Sequence, residues 1–403
     1  MTYHPPARVL DKYAELLVNF ALGGGKGIKK GEVVYLQAPL SALPFYRALR
    51  RRILDSGGLT VSSLGDDMSG AGRYFYEHAN RQQLTAFLPK FAKGLVDSID
   101  HRLAVIADHD VHELDGVDPK KMLLVQKSAK PLIDWFDKKE NQGLYTWTLA
   151  LYGTPSMAKE AGLSQQAYWR EIIRACYLDK KQPIAEWRRI SREVQRVADK
   201  LTGLQIKQLH VQGPDVDLRL TAGAERKWLG GGGRNIPSFE VFTSPDWRGT
   251  EGWIRFNQPL YNFGPKIEGI MLQFKNGRVT RATATKNQKL LTTMLSTDTG
   301  ASQVGEFSLT DRRLSRISKF MAETLFDENI GGPYGNTHIA TGKAYTDTYA
   351  PGTVGVSKRV FRQLGFNDSV THNDMISTTD RTVTATLSGG RTKVIYRRGQ
   401  FTI

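Results

Sequence analysis

Short apolar runs alternate with helical ones along the first half of the chain. "EVVYLQA" (32–38), "LTVSSLG" (59–65) and "RLAVIAD" (102–108) read as strands, while "LPFYRALRRRILDSGG" (43–58), "LTAFLPKFAKGLVDSI" (84–99) and "KKMLLVQKSAKPLIDWF" (120–136) read as helical. Strands that are apolar nearly throughout and are separated by helices build βαβ units, whose sheet is covered on both faces. The pattern predicts an α/β domain over residues 1–205 with an open, largely parallel sheet. Its last element, "PIAEWRRISREVQRVADKLTG" (183–203), repeats Trp187, Ile190, Val194, Val197 and Leu201 at helical spacing, with Gly203 as a candidate C-cap.

Past this connector the period becomes two. "VDLRLTA", "GWIRF", "GIMLQF", "VTRATAT", "TVTATL" and "TKVIY" alternate apolar with polar positions. Asn276-Gly277 between two such runs predicts a two-residue hairpin. Residues 206–403 are therefore expected to form a mostly antiparallel α+β domain with one or two inserted helices.

A length of 403 residues makes two domains the ordinary expectation. With 40% hydrophobic and 24% charged residues the chain is globular in composition. No apolar run approaches the roughly 20 residues that a bilayer crossing needs, and the first residues lack a basic segment leading into an apolar one. The single cysteine, Cys176, excludes an internal disulfide and suits a reducing compartment. A cytoplasmic protein with no membrane partner is expected, with Cys176 packed in a core. The net charge of +16 raises the question of nucleic acid, because clustered Lys and Arg gain affinity for phosphates by counterion release. Here the basic residues are scattered through "RALRRR" (47–52), "PKK" (119–121), "DKK" (179–181) and the helix bearing Arg188, Arg189, Arg192 and Arg196, so solvated helix faces account for them.

Three motifs have plain explanations. "ALGGGKG" (21–27) follows a helix and has no Ser or Thr after Lys26, so it reads as a helix-ending turn and not as a phosphate loop. The four glycines at 230–233 would allow close backbone approach, or simply a flexible loop. "DHDVHE" (108–113) has metal-like spacing at His109 and His112, but its place after a strand favours a polar loop.

The second half holds a richer set. Glu240 in "SFEVFTSPD" and Glu306 in "GASQVGEFSL" are isolated acids among apolar or small neighbours. "LFDENIGGPYGNTHIATGKAY" (325–345) supplies Glu328 and His338, and "SVTHNDMIS" supplies His372 and Asp374, two apart and hence on one face of an extended segment. Four carboxylates in one cavity repel, yet they balance two divalent cations. With two histidines they suggest a dinuclear centre.

These segments, "NIPSFEVFTSP", "GASQVGEFSL", "LFDEN" followed by "HIATGKAY", and "HND", resemble in order and spacing the thermophilic aminopeptidase T family of metallo-aminopeptidases, peptidase family M29. The first half agrees through "LDKYAELLVNFALGGGKGIKKGEVV", "GPDVDLRL" and "KWLGGGG". The resemblance implies a homodimeric two-metal exopeptidase acting on peptides with a free N-terminus. It implies metal ligands at Glu240, Glu306, Glu328, His338, His372 and Asp374, and a catalytic tyrosine at Tyr345. Glu306 is the candidate bridging ligand, Glu240 or Glu328 the candidate proton shuttle, and Tyr345 the donor to a developing oxyanion. Carboxylates admit Mg, Mn or Co and the imidazoles admit Zn. The turn residues before His338 are expected to fold a loop that brings Glu328 and His338 together. The loop is longer here than in the family's founding members, which leaves the placement of Glu328 for the structure to decide. Two other readings stay open on the residues: another two-metal hydrolase such as a phosphoesterase, and a non-enzymatic RNA-binding protein that keeps the fold.

Overall fold

The computed structural model describes residues 3–230, 234–261 and 265–403. The chain forms two compact units. One comprises Met1–Ser191 with Gly232–Ser238 and Phe320–Leu325, and the other Arg192–Gly231 with Phe239–Lys319 and Phe326–Ile403. Residues 231–233 of the four-glycine run lie outside the described residues.

The first unit is built on a four-stranded parallel sheet in the order Leu59–Gly65, Val33–Pro39, His101–Ile106, Thr146–Leu151. The inner strands Val33–Pro39 and His101–Ile106 alternate buried with half-buried positions, so both their faces are covered. The edge strand Leu59–Gly65 departs from that expectation, being almost wholly exposed. The strand Thr146–Leu151 is missing from the sequence reading because "TWTLAL" opens with a polar alternation and not with a continuous apolar run. "ALGGGKG" ends the opening helical segment, as the sequence predicts. Cys176 is fully buried, and burial pushes its thiol up to about 12, which makes it a packing group at neutral pH.

The helix Pro183–Gly203 buries Trp187, Ile190, Val194, Ala198 and Leu201. Ala198 takes the place in this stripe that periodicity assigned to Val197. Gly203 is the last helical residue but not a left-handed cap; that conformation falls on Gln205, with φ 49°.

The second unit contains an eight-stranded antiparallel sheet and a five-stranded one. The larger runs in the order Arg278–Thr283, Met271–Lys275, Asp246–Arg255, Val216–Thr221, Ile206–Gly213, Thr382–Leu387, Thr392–Arg397, Gln400–Phe401. The predicted hairpin is present, with Lys275 opposite Arg278 and both Asn276 and Gly277 at positive φ. The smaller sheet runs His372–Ser377, Asn336–Gly342, Val304–Thr310, Glu240–Thr243, Leu229–Gly230, all antiparallel. Its central strands are buried along their full length, so their polar residues must find partners inside the protein. The Tyr396 hydroxyl, which donates to the Thr310 carbonyl at 2.9 Å, ties the two sheets together.

Gly342 closes the strand Asn336–Gly342 at φ 105°, and a Cβ there would stand 2.1 Å from the Thr371 carbonyl oxygen. Gly342→Ala should therefore destabilise the second unit by about 2 kcal/mol or more, since both the backbone conformation and the space are wrong for a side chain. Denaturant unfolding would check this, and an unchanged midpoint would show that the strand end yields freely.

Candidate metal centre

The five-stranded sheet explains why distant residues meet. Directly opposed residues of an antiparallel pair share a face, and so do residues two apart on one strand. Glu240 lies opposite Thr310, Ser308 opposite both Phe242 and His338, and Glu306 opposite Ala340. Ala340 is in turn opposite Asp374, and Gly342 opposite His372. By this parity Glu240, Glu306, His338, His372 and Asp374 all project from one face. The small Ala340 and Gly342 leave that face open between the longer donors. A bulge between Val304 and Glu306 sets the register there, and at Gly305 a Cβ would meet the Lys343 carbonyl at 2.3 Å.

Glu328 arrives differently. It follows the short helix Thr324–Asp327 in a turn and is buried. The irregular stretch that follows is shorter than the sequence reading expects: His338 sits inside a strand beginning at Asn336, so sheet register positions it and the loop positions Glu328. The longer loop does not displace Glu328 from the cluster.

All six candidate ligands converge. Donor atoms of Glu240, Glu306 and His338, of Glu306, His372 and Asp374, and of Glu328, His338 and Asp374 lie within 4.8 Å of one another in each group. Nε2 of His338 is 3.3 Å from Glu306 Oε1 and 3.4 Å from Glu240 Oε2. Nε2 of His372 is 3.3 Å from Asp374 Oδ1 and 3.5 Å from Glu306 Oε2. The other nitrogen of His372, Nδ1, donates to the Lys343 carbonyl at 2.7 Å, which leaves the Nε2 lone pair of the neutral ring facing the carboxylates. The donor set fits divalent cations: four carboxylates against two imidazoliums leave negative charge uncompensated, whereas two divalent cations with neutral imidazoles balance it.

Tyr345 stands beside this cluster, its ring centroid 4.9 Å from that of His372 and 5.6 Å from that of Phe242. Its backbone N–H donates to Ser244 Oγ at 2.9 Å and its carbonyl accepts from Thr348 Oγ1 at 2.7 Å. Two residues escaped the sequence reading. Ser308 donates to Glu240 Oε2 at 3.3 Å, and Asn329 donates to Glu328 Oε1 at 3.4 Å. Ser308 was findable by period two from Glu306. His112 of "DHDVHE" pairs with Asp115 and Glu160 in a polar loop, as expected, and that motif supplies none of the donor groups found among the described residues.

A family model for thermophilic metalloproteases (M29) matches residues 7–401. The chain belongs to the M29 metalloprotease family. It is 30% identical to Aminopeptidase 2 of Geobacillus stearothermophilus, across 97% of each chain, and 28% identical to Aminopeptidase T of Thermus aquaticus, across 98% of each. The solved structure of wild-type AmpT from Thermus thermophilus matches 98% of this chain and 99% of its own with a TM-score of 0.81 at 28% identity. The two-part α/β and α+β architecture is thus that of an M29 enzyme. No helix among the described residues is long and apolar enough to cross a membrane.

The electrostatics of this M29 centre follow from burying like charges together. Burial and the neighbouring Glu306 carboxylate push Glu240 up to about 7. Burial opposes the charged form of Glu306 too, but hydrogen bonds from His338 and His372 outweigh it and hold Glu306 below its ordinary value. Asp374 is likewise lowered against burial by the charge of His372. The imidazoles move the other way: against burial, the bond to Glu306 and the charges of Glu240, Glu306 and Asp374 raise His338 to about 9, and Asp374 with Glu306 raises His372 well above its usual range.

Both imidazoles therefore favour the protonated form at neutral pH when the cluster's own groups compensate one another, and a cation held through them would displace those protons. Divalent metal uptake near neutrality should release protons, and affinity should climb as pH rises toward 9 and fall as pH drops. Calorimetric titration in buffers of different ionisation enthalpy reads the protons directly. Uptake without proton release would contradict the raised imidazole basicity.

Proposed function

We propose that the protein is an aminopeptidase that works with two divalent cations held by Glu240, Glu306, Glu328, His338, His372 and Asp374. The observation that carries this reading is the overlap of the three donor groups, in which Glu306, His338 and Asp374 each belong to two. Shared carboxylates are what neighbouring cations would require, and Glu306, with its two oxygens facing His338 and His372, is the candidate bridging ligand. Bound cations of the Zn, Co, Mn or Mg kind would lower the pKa of water and polarise a scissile carbonyl.

The chain's own residues supply the rest. The neutral amine of a peptide N-terminus would be held by a bound cation, and the carboxylates nearby would stabilise its protonated form before it binds. Glu240 or Glu328, whichever is left less firmly held by metal, would take a proton and return it to the leaving amine. Tyr345, whose ring lies against that of His372, would donate its phenolic O–H to the oxyanion that develops on the carbonyl, an effect worth about 3 kcal/mol per donor.

The deciding experiment removes metal with a chelator, restores it, and follows release of residues from short unblocked peptides and their N-acetylated counterparts. Activity should vanish and return with metal, and acetylation should abolish most of kcat/KM. Equal cleavage of blocked and free peptides, or cuts within the chain, would sink the aminopeptidase reading. Hydrolysis of an aryl phosphate without peptide cleavage would favour the phosphoesterase, and RNA binding that weakens steeply with salt would favour the non-enzymatic alternative.

Tyr345→Phe deletes only the hydroxyl. Metal content should stay normal while kcat drops by roughly a hundredfold or more. Wild-type turnover in this variant would reduce the tyrosine to packing against His372.

A further inference from the structure

We infer that Asn329 is a positioning residue of the metal centre, its side-chain amide fixing the Glu328 carboxylate relative to the strand that carries Glu240. This rests on the metal-centre reading above. Five of the six candidate ligands are placed by sheet register; Glu328 alone lies in a turn, and no ladder orients it. Asn329 is fully buried. Its Oδ1 accepts the Phe239 backbone N–H at 2.6 Å, and its Nδ2 donates to Glu328 Oε1 at 3.4 Å. The amide can face only one way, because a backbone N–H must meet the oxygen, which turns the NH2 toward the carboxylate. Phe239 is the residue immediately before Glu240, so one side chain contacts both the Glu328 carboxylate and the backbone leading into Glu240.

The turn behind the amide is strapped. The carbonyls of Asp327, Glu328 and Asn329 accept, in order, from Asn336 Nδ2 at 2.7 Å, Thr310 Oγ1 at 3.5 Å and Ser315 Oγ at 2.5 Å. Two of these donors, Thr310 and Asn336, belong to strands of the ligand-bearing sheet. The turn's backbone is held independently, and the amide adds the direction of the carboxylate.

The test is a double-mutant cycle read by Co2+ titration, followed through the visible absorption bands of the bound ion. Asn329→Asp keeps an oxygen for the Phe239 N–H but replaces the donor with a second carboxylate. It should weaken Co2+ binding about ten- to a hundredfold, the range for partners that orient metal ligands. In a Glu328→Gln background the same change should add no more than about twofold, because its route runs through Glu328. Ser315→Ala, which loosens the same turn without touching the amide, should leave the titration as in the wild type. The inference is overturned by wild-type affinity in Asn329→Asp, by an additive cycle, or by an equal loss in Ser315→Ala. Should Asn329→Asp fail to fold, Asn329→Ser carries the cycle. A wild-type protein that takes up no Co2+ overturns the metal-centre reading itself, a failure visible before any variant is made.

Discussion

Like charges gathered out of water set the terms for everything else in the second unit. Two carboxylates about 4 Å apart repel by roughly 4 kcal/mol at the effective dielectric of a protein site, and this cluster brings together four. Such an arrangement persists only where rigid elements impose it and where positive charge stands between the acids. The five-stranded sheet supplies the first condition. Its ladder fixes five donors on one face, and a slip of one residue in any pairing would turn a donor to the opposite face. The bulge at Gly305 matters for the same reason, because it shifts the register by one residue where Glu306 must align with Ala340.

The second condition is met by the two imidazoles, which act on the acids unevenly. Glu306, bonded to both rings, stays ionised, while Glu240, bonded to Ser308 and pressed by Glu306, is raised to near neutrality. Identical side chains thus acquire different proton affinities from their neighbours. The difference arises from which residues share a pairing site, so it is written in the ladder as much as in the composition.

Much of this is legible in the amino-acid sequence. The change from apolar strands to period two accompanies the change from parallel to antiparallel pairing, and Asn276-Gly277 names its own turn. Glu240 and Glu306 stand out because an acid inside an apolar strand needs a partner, and His372 and Asp374 because their spacing puts them on one face. What local pattern could not show is pairing. "NTHIATG" carries turn-like neighbours on its N-terminal side, and only its position between two strands makes it a strand. The first unit likewise takes in residues 232–238 and 320–325 from the second half of the chain, a long-range exchange that no window of sequence displays.

The raised basicity of the histidines eases the burial of acids beside one another. A polypeptide folding around four acids without positive charge among them would face the full repulsion at the moment of burial. With His338 held near 9 and His372 also raised, both rings carry charge at neutral pH and sit between the acids that later need it. The protons serve as counter-charges, and in the proposed centre divalent cations would take their place and leave the imidazoles neutral. His338 and His372 would thus serve the proposed centre in two ways, as charged groups among the acids in the absence of metal and as neutral ligands in its presence.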